Sequence, residues 1–276
     1  MSTNTVLITG CSSGFGKLTA ETFQARGWNV VATMRTPSKS KGLSSSDTML
    51  VTRLDVNDPA SIDEAVERGR ARFGEIDVLV NNAGFGTNAM FEQSSDADIR
   101  AMFETNVFGL MNTSKAVLPH MRTQGSGCII NVTSMAGLIG LPGNSVYCAS
   151  KFAVEGLTEA LAQEYRDLGI NVKSIAPGAF ASTAFTDNVT TRVSDGDAQL
   201  RDYSEKLRAH FTSLTQEGGP QNPQLVADKI FECATETTPV HNPVGIDAEG
   251  LVKAMNSVDS RETFIQMMAG RLLPPS

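Results

Sequence analysis

The feature that most constrains this chain is a regular alternation of short β-branched runs with longer amphipathic stretches. Six runs have the composition of strands: "TVLIT" (5–9), "NVVATM" (29–34), "LVTRLDV" (50–56), "DVLVNN" (77–82), "GCIINVTS" (127–134) and "INVKSIAP" (170–177). Several are apolar on both faces, as expected where helices cover both sides of a parallel sheet. The alternation therefore predicts an α/β fold built on a doubly wound, mostly parallel sheet.

Helix signals lie between these runs. Asp58 and Pro59 introduce "ASIDEAVERGRARFG", which has a capping residue, a proline in the first turn and a glycine stop. Residues 94–125 and 145–169 are long and amphipathic, as expected of helices that cover a sheet. Residues 184–223 are instead polar and interrupted by glycine and proline. They follow the last of these runs, and we expect either a substrate lid or a flexible surface loop there.

Composition narrows the range of functions. Apolar residues make up 41% of the 276 residues and charged residues 19%, which is typical of a soluble enzyme. The net charge of -7 argues against a nucleic-acid partner, because no basic stripe is present to neutralise phosphates. We expect no membrane span, since no apolar run approaches roughly 20 residues. We expect no signal peptide, since the N-terminus lacks a basic region followed by an apolar stretch and a small-residue cleavage site. The four cysteines lack metal-ligand spacing, so we expect reduced thiols in a cytoplasmic protein and no metal site.

The glycine-rich stretch "TGCSSGFG" joins the first strand to the first helix and admits two interpretations. As G-x-S-x-G it would present Ser12 as a nucleophile, but only one strand precedes Ser12 and no histidine is an obvious base. As a phosphate-binding loop, its glycines at positions 10, 14 and 16 let the backbone turn sharply and approach a pyrophosphate at the helix N-terminus. We favour a dinucleotide site formed by Gly10, Gly14 and Gly16, with hydroxyls from Ser12 and Ser13.

The end of the second strand indicates which dinucleotide binds. A carboxylate there would accept hydrogen bonds from a free adenosine ribose and repel a 2′-phosphate. This chain instead has Met34 and then Arg35, whose guanidinium can hold a phosphate with two hydrogen bonds. NADP(H) is therefore favoured over NAD(H), although a solvated cation at a strand end is also a common feature without function.

Four polar residues are candidates for chemistry. In "YCASK", Tyr147 and Lys151 share one face of a helical pattern, and an ammonium near a phenol favours its ionised form. Ser134 closes a strand at the predicted ligand crevice, where it either holds a substrate oxygen or caps the following turn. Asn106 lies within a helical pattern and, if buried, needs hydrogen-bond partners. It is either a structural residue or part of a proton relay.

These motifs, together with "LDV", "NNAG" and "PG" at 177–178, resemble the short-chain dehydrogenases/reductases of the Tyr-x-x-x-Lys type. The resemblance runs from Thr5 to about Thr183, and "ITGCSSGFG" with "VATMR" is most similar to the 17β-hydroxysteroid and retinol dehydrogenase-like branch. It implies a single Rossmann domain over residues 1–276, with a mostly parallel seven-stranded sheet. It also implies a homodimer or homotetramer formed through the two long helices.

The resemblance implies a role for each residue of the site. Tyr147 would be the general acid and base, Lys151 would lower its pKa and bind the nicotinamide ribose, and Ser134 would bind the carbonyl oxygen. Asn106 would position a water that links Lys151 to solvent, and Asn81 would be mainly structural. The implied cofactor-binding residues are Gly10, Ser12, Ser13, Gly14, Phe15, Gly16, Arg35, Asp55, Val56, Asn82, Ala83, Gly84, Tyr147, Lys151, Pro177, Gly178, Phe180 and Ser182. Either Ser182 or Thr183 would contact the carboxamide.

The implied activity is an NADP(H)-dependent oxidoreductase that transfers hydride between nicotinamide C4 and a ketone or secondary alcohol. A set of apolar residues near the motifs suggests a largely hydrophobic substrate if their side chains face the pocket, and core residues if they do not. They are Met90, Phe91, Leu138, Leu141, Phe180 and Phe185. The alternative function is a redox-sensing regulator that binds NADP(H) without turnover.

Overall fold

A seven-stranded parallel sheet organises the computed structural model, which describes residues 3–40, 42–180, 198–217 and 219–274. The strands are β1 (Thr5–Ile8), β2 (Asn29–Met34), β3 (Met49–Arg53), β4 (Val78–Asn81), β5 (Gly127–Val132), β6 (Ile170–Pro177) and β7 (His241–Val244). Their order is β3-β2-β1-β4-β5-β6-β7, and every pair is parallel. The order reverses direction between β1 and β4, which is where ligands bind in doubly wound sheets. The predicted fold class is confirmed.

Helices cover both faces of this sheet. The helices are α1 (Gly14–Ala25), α2 (Pro59–Phe73), α3 (Asp96–Phe103), α4 (Leu110–Gln124), α5 (Ser145–Glu164), α6 (Ala198–Glu217), α7 (Gln224–Thr235), α8 (Ile246–Asn256) and α9 (Arg261–Leu272). On one face Phe23 and Ile230 bring α1 and α7 against the strands, and on the other Val66 and Val117 bring α2 and α4. Both faces of the central strands are therefore buried, which explains their continuous apolar runs.

The predicted boundaries of α2 are confirmed. The carboxylate of Asp58 accepts a hydrogen bond from the Ser61 amide, and Pro59 occupies the first turn. Gly74 ends the helix with a φ of 89°, a value that L side chains rarely adopt. The cap and the stop thus act as the sequence pattern indicates.

Two elements depart from the sequence analysis. The long predicted helix over residues 94–125 contains a π-helical segment, Glu104–Gly109, between α3 and α4. Helix α6 (Ala198–Glu217) lies within the stretch 184–223, so this part of it is a helix and not the flexible loop that was one of the two alternatives. Among the described residues, no helix is long and apolar enough to cross a bilayer.

Candidate active site

A cleft of about 770 Å³ opens at the carboxyl ends of the central strands. Most of the predicted site residues line it: Gly10, Ser12, Ser13, Gly14, Phe15, Arg35, Asp55, Val56, Asn82, Ala83, Gly84, Ser134, Tyr147, Lys151, Pro177, Gly178 and Phe180. Gly16 and Asn106 lie behind this wall and act through neighbours, as described below. Ser182, Thr183 and Phe185 fall outside the described residues.

The glycine loop between β1 and α1 has the geometry that a close approach to phosphate requires. Gly10 and Gly14 have positive φ angles of 76° and 56°. A Cβ on Gly16 would overlap the carbonyl oxygen of Gly10 and the side-chain amide of Asn82. That amide donates to the carbonyls of Thr9 at 2.9 Å and Gly10 at 3.2 Å. Asn82 therefore holds the loop in shape, a role that the sequence alone did not indicate.

The cleft wall at the end of β2 carries an exposed cation. Arg35 follows β2 and lines the cleft beside Ser12 and Ser13, and no ion pair engages its guanidinium within the described ranges. Asp55 lines the neighbouring wall after β3, where its Oδ1 accepts from the Asn57 amide at 3.1 Å. Arg35, Ser12 and Ser13 thus supply a guanidinium and two hydroxyls to the same cleft.

Tyr147 and Ser134 meet on the opposite side of the cleft, although 13 positions separate them in the sequence. Their side chains are joined by a hydrogen bond, and the Tyr147 side chain is buried. Ser134 also accepts a hydrogen bond from the Ala136 amide at 3.1 Å, so it caps the short turn Met135–Gly137. The cap is therefore confirmed, and Ser134 also lines the cleft, where its role toward a substrate stays a prediction.

Burial governs the ionisation of Tyr147 and Lys151 in this structure. It raises the pKa of Tyr147 above its ordinary value, and the hydrogen bond with Ser134 offsets this only in part. Burial also lowers the pKa of Lys151 to about 8, while Glu155 acts in the opposite direction. The predicted lowering of the Tyr147 pKa is thus not what the protein by itself produces. Lys151 Nζ lies 5.7 Å from the centre of the Tyr147 ring and donates to the Val132 carbonyl at 2.9 Å.

Asn106 sits in the π-helical segment and is buried. Its side-chain amide donates to the Phe85 carbonyl at 2.8 Å and to Ser150 Oγ at 3.1 Å, and its Oδ1 accepts from the Phe85 amide at 3.0 Å. A Cβ on Gly84 would lie 3.1 Å from Asn106 Oδ1 and 3.7 Å from Lys151 Nζ. These two polar atoms therefore both lie beside the backbone of Gly84.

The segment after β6 is held by a clasp that sequence analysis missed. Asp247 accepts hydrogen bonds from the Ala179 amide at 2.6 Å and from the Gln221 side chain at 2.9 Å. Gln221 also donates to the Ala179 carbonyl at 3.0 Å. A Cβ on Gly178 would overlap the Asp247 carboxylate, so only glycine fits there. No local pattern marks Asp247 or Gln221, because both lie far from Gly178 in sequence.

The apolar residues expected around the pocket divide into two groups. Leu141 and Phe180 line the cleft, and Phe180 packs edge-on against Phe15 with ring centres 5.4 Å apart. Met90, Phe91 and Leu138 do not line it, and Phe91 is 65% exposed. Phe85 and Met135 supply apolar surface in their place. Leu138 instead follows the alternative interpretation, because it packs against a core cluster around Ile139 and Phe264.

Comparison with known proteins identifies the family. A family model described as short chain dehydrogenase matches residues 4–194. The chain belongs to this family, and the fold and cleft define an oxidoreductase with a nicotinamide-cofactor site. It is 42% identical over 212 residues to a 3-ketodihydrosphingosine reductase of Bacteroides thetaiotaomicron, a match covering 77% of this chain and 76% of that protein.

Solved structures agree with this placement. A short-chain dehydrogenase from Streptomyces avermitilis has a TM-score of 0.80 and 33% identity, covering 98% of both chains. A 3-ketoacyl-(acyl-carrier-protein) reductase from Brucella melitensis, complexed with NADH, has a TM-score of 0.73 and 27% identity over 88% of this chain and 96% of that one. ElxO with NADP bound has a TM-score of 0.72 and 28% identity over 88% of this chain and 97% of that one. Similar structures therefore hold both kinds of nicotinamide cofactor.

Proposed function

We propose that this protein is an NADP(H)-dependent carbonyl reductase and secondary alcohol dehydrogenase with a largely hydrophobic substrate. The observation that carries the proposal is the shared cleft. It joins a phosphate-binding glycine loop and Arg35 at one end to the hydrogen-bonded pair Ser134 and Tyr147 at the other, with Lys151 beside them. A cofactor and a carbonyl compound could thus lie next to each other. This agrees with the sequence motifs of the 17β-hydroxysteroid and retinol dehydrogenase-like branch, to which we assign the chain.

The choice of NADP(H) rests on charge. Arg35 is exposed at the end of β2, and the position carries no carboxylate that would repel a 2′-phosphate. The glycine loop would hold the pyrophosphate, and Asp55 and Val56 would hold the adenine. Ser182 or Thr183 would contact the carboxamide. The nicotinamide half would lie against Asn82, Ala83, Gly84, Pro177, Gly178 and Phe180. The residues present fit this group, since Gly10, Ser12, Ser13 and Gly14 line the cleft where the loop turns into the N-terminus of α1, a place that favours an anion.

In reduction, bound NADPH supplies the hydride to the carbonyl carbon. The Ser134 hydroxyl would orient the carbonyl oxygen by a hydrogen bond, and Tyr147 would give its proton to that oxygen. Since burial raises the pKa of Tyr147, the phenol starts protonated at neutral pH and is suited to act as the acid. The Lys151 ammonium would stabilise the phenolate that remains, and a water held by Asn106 and Lys151 would pass a proton back to it from solvent.

The substrate half of the cleft favours an apolar molecule. Phe85, Met135, Leu141 and Phe180 line it, and Asn144 adds one polar side chain. The relative from Bacteroides thetaiotaomicron is named as a reductase of a 3-keto compound, which supports the reductive direction. Ketones with large apolar groups, including steroids, retinoids, aryl ketones and β-keto esters, are the first substrates to test.

The decisive experiment follows the loss of NADPH absorbance with a panel of such ketones, for the wild type and Tyr147→Phe. We expect turnover by the wild type, and a reduction of kcat by roughly 10²–10⁴ in the variant with NADPH affinity retained. NADPH binding without turnover of any ketone would instead favour the redox-sensing regulator. Turnover that survives in Tyr147→Phe would contradict the role of the phenol.

We also propose a cytoplasmic homo-oligomer with one catalytic domain over residues 1–276, in which the region around 184–223 covers the substrate. All four cysteines are buried and free, as in a reducing compartment. Phe108 beside α4 and Phe152 on α5 are 48% and 40% exposed, which gives the two long helices apolar surface for association. Light scattering after gel filtration would measure the mass, and a monomer would contradict the assembly.

A further inference from the structure

A buried carboxylate lies one helical turn beyond Lys151. Glu155 is 5% exposed, and three polar side chains from three different strands or strand ends converge on it. Thr133 donates to Glu155 Oε1 at 2.5 Å, Ser174 donates to Oε2 at 2.8 Å, and His241 Nδ1 lies 2.8 Å from the same oxygen. A carboxylate this buried is costly unless its partners compensate. These three partners therefore hold the Glu155 carboxyl group in place.

This cluster is connected to the proposed catalytic residues through the backbone. Thr133 precedes Ser134 and follows Val132, whose carbonyl accepts the hydrogen bond from Lys151 Nζ. Lys151 and Glu155 are four positions apart on α5 and lie on the same face. One carboxylate thus touches the strand end that presents Ser134 and faces the ammonium beside Tyr147.

We propose that Glu155 is a positioning residue for Lys151, whose charge keeps the neighbouring lysine an ammonium and whose hydrogen bonds hold the strand end that Lys151 contacts. The inference rests on the proposed function, since the charge of Lys151 matters for turnover only if Tyr147 exchanges protons there. Glu155 does not line the cleft. It acts through Lys151 and Thr133.

The charged groups around Glu155 support this arrangement. Among the described residues, Lys151 and His241 face it, and Glu159 lies behind His241 with its Oε1 3.0 Å from His241 Nε2. The pKa of His241 is raised, chiefly by its hydrogen bond with Glu155, so the imidazole favours the charged form beside the two carboxylates. Lys173 is the neighbour of Ser174 on β6, but its Nζ turns away to the carbonyls of Cys233 and Glu236. Burial drives Lys151 toward the neutral amine, and Glu155 is the group that opposes it.

The test is the pH dependence of kcat for ketone reduction at saturating NADPH. If Lys151 must be charged, activity falls as pH rises through its pKa. Removing the anion in Glu155→Gln should move that fall to lower pH by roughly one unit or more. Glu155→Asp keeps the charge and should return the fall close to its wild-type position, even if kcat is lower. Glu155→Met replaces the glutamine variant if that variant does not fold.

Glu159→Gln is the matched control. Glu159 is on the same helix and contacts the same imidazole, but it is one turn further from Lys151 and its side chain is 60% exposed. Its profile should coincide with that of the wild type. A purely structural residue would instead lower activity by the same factor at every pH, and that result for Glu155→Gln would overturn the proposal. The proposal is also overturned if Glu159→Gln shifts the alkaline loss of activity as far as Glu155→Gln does.

A second readout separates this inference from the proposed function. NADPH affinity, measured by fluorescence against pH, reports the charge of Lys151 without any turnover. If the wild type reduces a ketone and its pH profiles of activity and NADPH affinity coincide with those of Glu155→Gln, only the inference about Glu155 is contradicted. A wild type that turns over no ketone would defeat the proposed function, while an earlier alkaline loss of NADPH affinity in Glu155→Gln would still support the role of Glu155.

Discussion

The carboxylate of Asp247, at the start of α8, accepts a hydrogen bond from the backbone amide of Ala179 at 2.6 Å. The two residues are 68 positions apart. Ala179 directly follows the Pro177-Gly178 motif, which borders the proposed nicotinamide site. Asp247, which belongs to none of the sequence motifs, therefore fixes the backbone next to that motif. Gln221 completes the clasp by bonding to both residues.

Loss of this clasp should impair turnover more than folding. We expect Asp247→Asn to lower kcat/KM by roughly tenfold to a hundredfold, because a small misplacement of a positioning segment is that costly. Steady-state kinetics with NADPH as the varied substrate measures this. Glu249→Gln is the control, since Glu249 is exposed in the same first turn of α8. Equal effects of the two substitutions would show that helix charge, not the clasp, is responsible.

Arg35 should decide between the two nicotinamide cofactors. Arg35→Glu replaces a cation with an anion at the proposed 2′-phosphate site and should weaken NADPH binding by about ten- to hundredfold, or ~1.5–3 kcal/mol. NADH affinity should change little. Titration of both cofactors by fluorescence gives the ratio. Arg53→Glu is the matched control, because Arg53 ends the adjacent strand β3 but pairs with Asp58. An unchanged ratio in Arg35→Glu would remove the basis for NADP(H).

The buried Lys151 should lower the free energy of unfolding when no cofactor is bound. Its folded pKa is about 8, below the ordinary value of 10.5, so near neutral pH the folded state must bear a charge that burial opposes. The unfolded state binds more protons between these values, and wild-type stability should therefore rise with pH across that window. We expect Lys151→Met to increase the free energy of unfolding by about 2 kcal/mol near pH 7, while abolishing turnover. Urea titrations of both proteins near pH 7 and pH 10 measure the difference, which should shrink at the higher pH. A constant difference would show that the charge of Lys151 is not its source.

Gly16 should tolerate no side chain. Gly16→Ala would push a methyl group into the Gly10 carbonyl and the Asn82 amide. We expect NADPH affinity to fall at least about tenfold and stability to fall by about 1–3 kcal/mol, as for overpacking at other crowded positions. Calorimetric titration and thermal unfolding test the two effects. The control is Gly270→Ala, at an exposed site in α9 with open space, which should stabilise the protein by roughly 0.5–1 kcal/mol. Near wild-type binding by Gly16→Ala would mean that the loop is not tightly packed.

Much of this molecule could be predicted from the sequence, because the relevant signals are local. The runs "NVVATM" and "INVKSIAP" match β2 and β6 residue for residue, since β-branched composition and burial on both faces act over a few neighbours. The glycine loop is equally local, as its spacing alone places a turn between a strand and a helix. The spacing of Tyr147 and Lys151 on one helix follows the same rule.

Other elements were not predicted, because their local signals are weak. Strand β7 (His241–Val244) contains a proline and only four residues, and it exists because β6 offers an edge to pair with. Helix α6 is polar over much of its length, so its composition resembles that of a loop. The π-helical segment that holds Asn106 is likewise invisible to a search for helical periodicity.

Sequence alone therefore determined the fold class, the cofactor loop and the spacing of the residues proposed for catalysis, since each depends on side chains within one or two turns of one another. Only the tertiary structure brought Asn82 to the glycine loop, Asp247 to Ala179, and His241 and Thr133 to Glu155. Those contacts join residues that are 22 to 86 positions apart. Folding decides them because hydrogen bonds buried between distant strands depend on how the whole sheet packs, and no short pattern of residues encodes that packing.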